Sequence, residues 1–205
     1  MSESINNPDW KAKLSQDPVM ANLIETGKSI DQEAHEDIYL SLLGSIMSQQ
    51  LSTKVARVIR NRFLDLFPDG YPQPKAVLAQ SDEMLRGVGL SYQKLGYIRN
   101  VVTFALAGNL DYNLIGQMDD EALIKHLIQI KGVGRWTAEM ILIFTLTRPD
   151  VFPIDDLGIQ NAMKKFYNLT QTGKVLQAEM IRIAENWRPY RTLASRYLWQ
   201  SLDNG

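Results

Sequence analysis

Two stretches of this 205-residue chain combine residue types that can do chemistry. The first is Asp150-Val151-Phe152-Pro153-Ile154-Asp155-Asp156-Leu157-Gly158-Ile159, where two carboxylates follow a proline and precede a helical apolar pattern. An Asp pair so placed reads as a helix start, with one carboxylate accepting amides of Leu157 to Ile159 and its neighbour turned elsewhere. A carboxylate fixed there can also stabilise positive charge building on a substrate, and can orient or deprotonate a water. Two plain helix caps are the alternative.

The second stretch is Leu127-Ile128-Gln129-Ile130-Lys131-Gly132-Val133-Gly134-Arg135-Trp136-Thr137-Ala138, an apolar helix end, two alternate glycines and a new apolar helix. Glycine permits positive φ and the close approach of another backbone. The amides near Gly132, Gly134 and Arg135 are then left at a helix N-terminus, where a phosphate can sit, with Val133 apolar at the tip. Outward-pointing carbonyls of Ile128, Ile130 and Val133 could hold a cation that completes the grip. An ordinary tight helix-helix connection is the alternative.

The elements that position these residues are helices throughout, because helical periodicity dominates and alternating β-branched runs are absent. We expect an all-α protein with helices from Glu36 to Met47, Thr53 to Leu66, Pro74 to Ala79, Asp82 to Arg86, Tyr92 to Ala107, Asp120 to Ile128, Arg135 to Thr147, Leu157 to Tyr167, Gly173 to Glu185 and Arg191 to Leu202. Ser52 and Ser81 stand at capping positions. The triplet Gly87-Val88-Gly89 echoes Gly132-Val133-Gly134 and reads as a second use of one turn chemistry.

Composition removes several classes of function. With no cysteine, disulfides, thiolate nucleophiles, iron–sulfur clusters and cysteine-ligated zinc are excluded, and His35 and His126 are the only soft metal ligands. A net charge of −1 gives no overall attraction for a polyanion, so any nucleic-acid binding must be local. Two basic clusters exist, Lys54, Arg57, Arg60 and Arg62, and Arg182, Arg188, Arg191 and Arg196; each taken alone reads as a solvated face balanced by acids. The polar start, Met1 to Lys13, and the short apolar run from Met140 to Leu146 direct neither export nor insertion. We therefore expect a cytoplasmic protein, nucleoid-associated if prokaryotic, that requires no cofactor.

The Leu127 to Leu146 segment resembles the helix-hairpin-helix of the base-excision DNA glycosylase superfamily named for that motif plus a glycine/proline-rich loop and an aspartate. Asp150 to Ile159 lies at that family's distance downstream. Ala184-Glu185-Asn186-Trp187-Arg188-Pro189-Tyr190-Arg191, followed by a helix to Trp199, is similar to the end of the DNA-3-methyladenine glycosylase II branch. The resemblance runs from Leu40 to Leu202.

It implies a two-lobed helical glycosylase fold without an N-terminal β domain, since the motifs begin near residue 40. One lobe would be 40–147, a bundle ending in the hairpin at 127–146; the other would be 1–39 plus 148–205, carrying the catalytic aspartate, with DNA crossing the cleft between them. The implied activity is hydrolysis of the N-glycosidic bond of alkylated, cationic purines in duplex DNA by a monomer. Asp156 would be the catalytic carboxylate and Asp155 the more structural acid. A methylated purine already carries positive charge and leaves without a general acid, so one carboxylate suffices.

Trp136 stands where superfamily members that cut the backbone through a Schiff base have lysine, which implies no lyase activity. Lys131, on the other side of the hairpin, reads as a phosphate neighbour or solvated charge. The base pocket would be walled by Trp136 and Tyr190, with Met140 in a slot that is often aromatic in this branch; Trp187 and Trp199 are assigned to the core. Gln50, with Leu51 beside it, would be the wedge that fills the gap left by the flipped nucleotide. Phosphate contacts fall to Gly132, Val133, Gly134, Arg135 and Thr137, and the cation of Ile128, Ile130 and Val133 would be Na⁺ or K⁺. The choice among 3-methyladenine, 7-methylguanine, ethenoadenine and hypoxanthine stays open, as does Gln50 against Leu51. Two rivals remain: a non-catalytic helix-hairpin-helix module that grips DNA, and a helical protein-interaction domain.

Overall fold

Apolar residues three and four apart wind nearly every segment into helix, and no strand occurs among the described residues, which in this computed structural model are 9–30 and 37–203. In chain order the helices are α1 (Asp9–Leu14), α2 (Pro18–Thr26), α3 (Ile38–Ser48), α4 (Thr53–Leu64), α5 (Pro74–Ala79), α6 (Asp82–Gly87), α7 (Tyr92–Leu106), α8 (Tyr112–Gly116), α9 (Asp120–Leu127), α10 (Arg135–Met140), α11 (Leu157–Tyr167), α12 (Gly173–Ala184) and α13 (Arg191–Asp203). Helical turns of the 3₁₀ type occupy Pro68–Gly70 and Glu185–Trp187. The single helix expected from Arg135 to Thr147 instead widens into a π-helical stretch at Ile141–Thr145 and ends where Thr147 takes a φ of 50°. The expected start of α3 at Glu36 and the histidine at His35 lie outside the described residues. No helix among those described is long and apolar enough to cross a membrane.

Polar caps punctuate these helices as the residue order requires. Ser52 accepts the Val55 amide at 3.4 Å, Ser81 that of Met84 at 3.2 Å and Ser91 that of Lys94 at 3.2 Å. The two glycine triplets, however, are different turns. Gly89, the last residue of the first triplet, has φ 110°, whereas in the second the first residue, Gly132, has φ 108° and Gly134 sits at φ −94° as the cap of α10. The expected shared turn chemistry is therefore a shared composition only.

The chain divides into two compact units, Met1–Ala34 with Leu142–Gly205, and His35–Ile141. In the second of these, α3, α5 and α6 pack against α7 and α4 packs against α3, burying Leu42, Leu43, Ile46, Phe63, Val77, Leu85, Ile98 and Val102. In the first, α13 packs on α2 and α11 over a core of Leu14, Met20, Ile159, Met163, Met180, Trp187 and Leu198.

Asp17 organises that core. One oxygen caps α2 through the amides of Val19 at 2.9 Å and Met20 at 3.2 Å; the other accepts the Tyr167 hydroxyl at 2.8 Å and the Trp187 indole at 3.0 Å. Burial, with the Asp17 carboxylate beside it, holds the Tyr167 hydroxyl far above its ordinary pKa, so it stays a donor. Asp17→Ala removes a cap and leaves two buried donors without an acceptor, and urea denaturation should show a loss of about 3 kcal/mol.

Candidate active site

The turn between α9 and α10 is built by hydrogen bonds that Gly132 makes possible. The Ile130 amide donates to the Leu127 carbonyl at 3.1 Å and the Val133 amide to the Ile130 carbonyl at 2.9 Å. Gly132 has no room for a side chain, since a Cβ there would lie 2.3 Å from Cγ of Tyr97. The close approach is thus by an aromatic ring of α7 rather than by backbone. Gly134 has open space around it and needs no left-handed backbone. Among the described residues, no backbone carbonyl takes the amides of Gly132, Gly134 or Arg135.

Three of the expected phosphate contacts look different in three dimensions. Arg135 is held by acids: Nη1 and Nη2 reach Glu121 at 3.1 and 2.9 Å, and Nε reaches Glu139 at 3.0 Å. The arginine keeps the Glu121 carboxyl below the ordinary range, and the pairing raises Arg135 in turn. Its charge at the turn is therefore largely compensated, and the free positive end of the turn is the backbone. Thr137 is only 5% exposed, because the third position of α10 faces the core of its unit. Val133, expected at the tip, is likewise buried.

The carbonyls expected to hold a cation lie on the same turn. The Ile130 carbonyl accepts the Val133 amide, whereas those of Ile128 and Val133 accept no backbone amide among the described residues. Three neutral carbonyl oxygens within six residues are the donor chemistry that a hard monovalent cation takes.

In the unit carrying residues 142–205, the loop before α11 is tied to the first turn of α13. The Thr192 hydroxyl donates to the Arg148 carbonyl at 2.6 Å and accepts the Val151 amide at 3.0 Å. Arg191 reaches the Asp150 carbonyl at 2.7 Å and its carboxylate at 2.8 Å. Much of the C-terminal basic cluster is balanced in this way, for Arg188 pairs with Asp150 and Glu185, and Arg182 with Glu179. No ion pair among the described residues engages Lys54, Arg57, Arg60 or Arg62 on α4.

At the end of this loop the capping acid is Asp156. Its Oδ1 accepts the Ile159 amide at 2.8 Å and, from two turns further along α13, the Trp199 indole Nε1 at 2.8 Å. Asp155 instead accepts the Gln177 side chain at 2.8 Å on an exposed surface. Asp156 is 9% exposed and caps the N-terminus of α11. Gly158 packs against both partners: a Cβ would lie 3.0 Å from Oδ1 of Asp156 and 3.0 Å from Cδ1 of Trp199. On its other side Trp199 stacks on Phe144, centroids 5.6 Å apart, and the guanidinium of Arg196 lies 5.6 Å from the centre of that ring.

Of the residues expected to wall a base pocket, Trp136 is 46% exposed on the first turn of α10 and Met140 is half-buried at its end. Tyr190 is 7% exposed and belongs to the core around Trp187. Gln50 and Leu51 are both exposed in the turn after α3, with Gln50 at φ 59°.

A family model described as HhH-GPD superfamily base excision DNA repair protein matches residues 43–189, which take in both the turn and Asp156. The chain belongs to this superfamily. Schizosaccharomyces pombe DNA-3-methyladenine glycosylase 1 is 34% identical over 165 residues, covering 80% of this chain and 72% of that protein. A putative DNA-3-methyladenine glycosylase of Bacillus subtilis is 33% identical over 172 residues, 81% of this chain but 59% of its own length. Among solved structures, S. pombe 3-methyladenine DNA glycosylase in complex with abasic DNA superposes with a TM-score of 0.83 at 31% identity, covering 95% of this chain and 97% of that one. A Bacillus halodurans DNA-3-methyladenine glycosidase gives 0.84 at 33% identity over 96% and 89%.

Trp199 is the partner of the candidate carboxylate that the sequence places only in the core. An aromatic inside an apolar helix reads as core, and one face of this indole does pack that way. Nothing in the local pattern marks its Nε1 as a donor to a carboxylate 43 residues earlier.

Proposed function

We propose that this chain is a monofunctional DNA glycosylase that hydrolyses the N-glycosidic bond of alkylated purines in duplex DNA, a step of base-excision repair. The observation that carries the reading is Asp156, a largely buried carboxylate at a helix start, held by the Ile159 amide and the Trp199 indole. The glycosylase activity for which the S. pombe and Bacillus relatives are named supports the same chemistry.

As the bond from C1′ to the purine nitrogen lengthens, its electron pair leaves with the base and positive charge builds on the deoxyribose. A 3- or 7-methylpurine carries a formal positive charge, so it departs as a neutral base without a proton donor. The Asp156 anion stabilises the sugar cation; water attacks C1′, and its proton passes to the carboxylate and on to solvent. The two donors on Oδ1 keep the carboxylate aimed.

The exposed Trp136 ring offers a face to a cationic base and Met140, on the same helix, a soft wall. Gln50, with Leu51, fills the stack after flipping. The amides of Gly132, Gly134 and Arg135 grip a phosphate, the Val133 amide being spent on the Ile130 carbonyl, with a Na⁺ or K⁺ ion on the carbonyls of Ile128, Ile130 and Val133. That ion would supply positive charge beside the phosphate, and the turn amides do the rest. Trp136 has no amine with which to form a Schiff base.

The test is incubation with methylated duplex DNA and chromatography of the free bases. Release of 7-methylguanine or 3-methyladenine is expected, with no covalent adduct on borohydride addition; intact DNA would refute the reading, and an adduct its monofunctional part. Trp199→Phe keeps the stack on Phe144 but deletes the hydrogen bond to Asp156. A charge-assisted bond contributes about 1.5–3 kcal/mol, so the single-turnover release rate should fall roughly ten- to a hundred-fold if the carboxylate loses its aim.

A further inference from the structure

The turn after α3 and the turn before α10 belong to one unit and are joined by side chains that carry no part of the chemistry above. Lys94, on the first turn of α7, sends its ammonium to the Met47 carbonyl at 2.9 Å and the Gln49 carbonyl at 2.7 Å, closing the C-terminus of α3. Gln49 in turn donates its Nε2 to the Gly132 carbonyl at 3.1 Å. From the same stretch of α7, the Tyr97 ring lies under Gly132 and Asn100 donates to the Lys131 carbonyl at 3.0 Å. Gln93 fixes the Tyr97 hydroxyl at 2.8 Å.

Between these ties sits Gln50, in the left-handed region that a side-chain-bearing residue leaves unless its surroundings hold it there. It is held on both sides. The Gln49 carbonyl is taken by Lys94, and the Leu51 amide donates to the Ser48 carbonyl at 3.1 Å. A strained residue, exposed and anchored by its neighbours, presents its side chain in one direction without further cost when a ligand arrives.

We propose that Lys94 and Gln49 are positioning residues that lock the turn bearing Gln50 and Leu51 to the turn bearing Gly132, so that phosphate grip and wedge insertion act as one rigid element. The proposal rests on the wedge and phosphate roles given above. Its physical content is registry: a wedge must enter the stack at a fixed offset from the gripped phosphate, and a direct hydrogen bond from one turn to the other sets that offset before DNA binds. Burial of the Lys94 ammonium, which lowers its pKa, accords with a lysine spent on carbonyls rather than on solvent.

The test uses Lys94→Met, Gln49→Leu and the rescue variant Lys94→Arg, with two readouts. Amide hydrogen exchange of the free protein should quicken at both 48–52 and 130–135 in Lys94→Met and Gln49→Leu, and return toward wild type in Lys94→Arg. Single-turnover release of 7-methylguanine should fall roughly thirty-fold from a fully paired duplex, since misplacement of about 1 Å can cost a hundred-fold, yet change less than three-fold when the lesion is an unpaired bulge that leaves little stack to fill.

Equal losses on both substrates, or wild-type rates on the paired duplex, would overturn the proposal. If the wild-type protein releases no base from either duplex, the glycosylase reading fails by itself. The exchange readout then decides the lock: coupled quickening of both turns supports it, and quickening of 48–52 alone refutes it.

Discussion

Asp156→Asn is expected to abolish base release while leaving the fold and duplex binding in place. Asparagine caps a helix as well as aspartate does, and its amide oxygen can still accept from the Ile159 amide and the Trp199 indole, so the change in stability should stay below about 1 kcal/mol. What disappears is the negative charge facing the deoxyribose cation. In a partly buried site this charge acts at low dielectric, and loss of even a neutral stabilising donor from such sites costs a hundred- to a thousand-fold. Single-turnover release of 7-methylguanine should fall by about a thousand-fold, equivalent to roughly 4 kcal/mol. Affinity for undamaged duplex should change less than two-fold. Wild-type release by this variant would refute the mechanism, whereas loss of duplex binding would show that Asp156 acts as a cap alone. The same pair of measurements separates an enzyme from a module that only grips DNA.

Gly132→Ala should give the second large effect, on stability and binding together. The added methyl meets Cγ, Cβ and Cδ1 of Tyr97 at 2.3 to 2.7 Å, and the backbone φ of 108° disfavours any side chain. Strain from such a backbone is about 1–2 kcal/mol and overpacking about 1–3, for a combined loss of about 2–5 kcal/mol in urea denaturation. Tyr97 cannot yield freely, because its hydroxyl is held by Gln93. Displacing the turn also moves the Gly132 and Gly134 amides and the Gly132 carbonyl that takes Gln49. Duplex affinity at moderate salt should therefore fall at least ten-fold in the fraction that remains folded. Gly134→Ala is the matched control: its position is open and its φ is ordinary, so stability should change by less than about 1 kcal/mol. Equal destabilisation by both alanines would contradict this account of the turn.

Much of the architecture was legible because it rests on local rules. Serine and aspartate caps, first-turn prolines and three-to-four spacing placed α3 to α7, α9 and α11 to α13 within a few residues. The short helices α1, α2 and α8 escaped, since six, nine and five residues give a periodic pattern little length; Asp17-Pro18 and Asp111 were the available signals. The π-helical stretch at Ile141–Thr145 left no mark, as all its residues suit an ordinary helix.

Residue order by itself determined the helical class, the glycine turn, the carboxylate at the start of α11 and the exposed pair Gln50 and Leu51, because each follows from backbone conformation or capping within a few residues. Tertiary structure alone decided which acid caps and which is exposed, for the indole of Trp199 arrives from a helix 43 residues away to share Oδ1 of Asp156. It also decided that Arg135 is compensated by Glu121 and Glu139, that Thr137 and Tyr190 turn inward, and that Lys94 and Gln49 join two turns 83 residues apart. Those facts depend on directions between helices, and the spacing of residues along one chain carries no such directions.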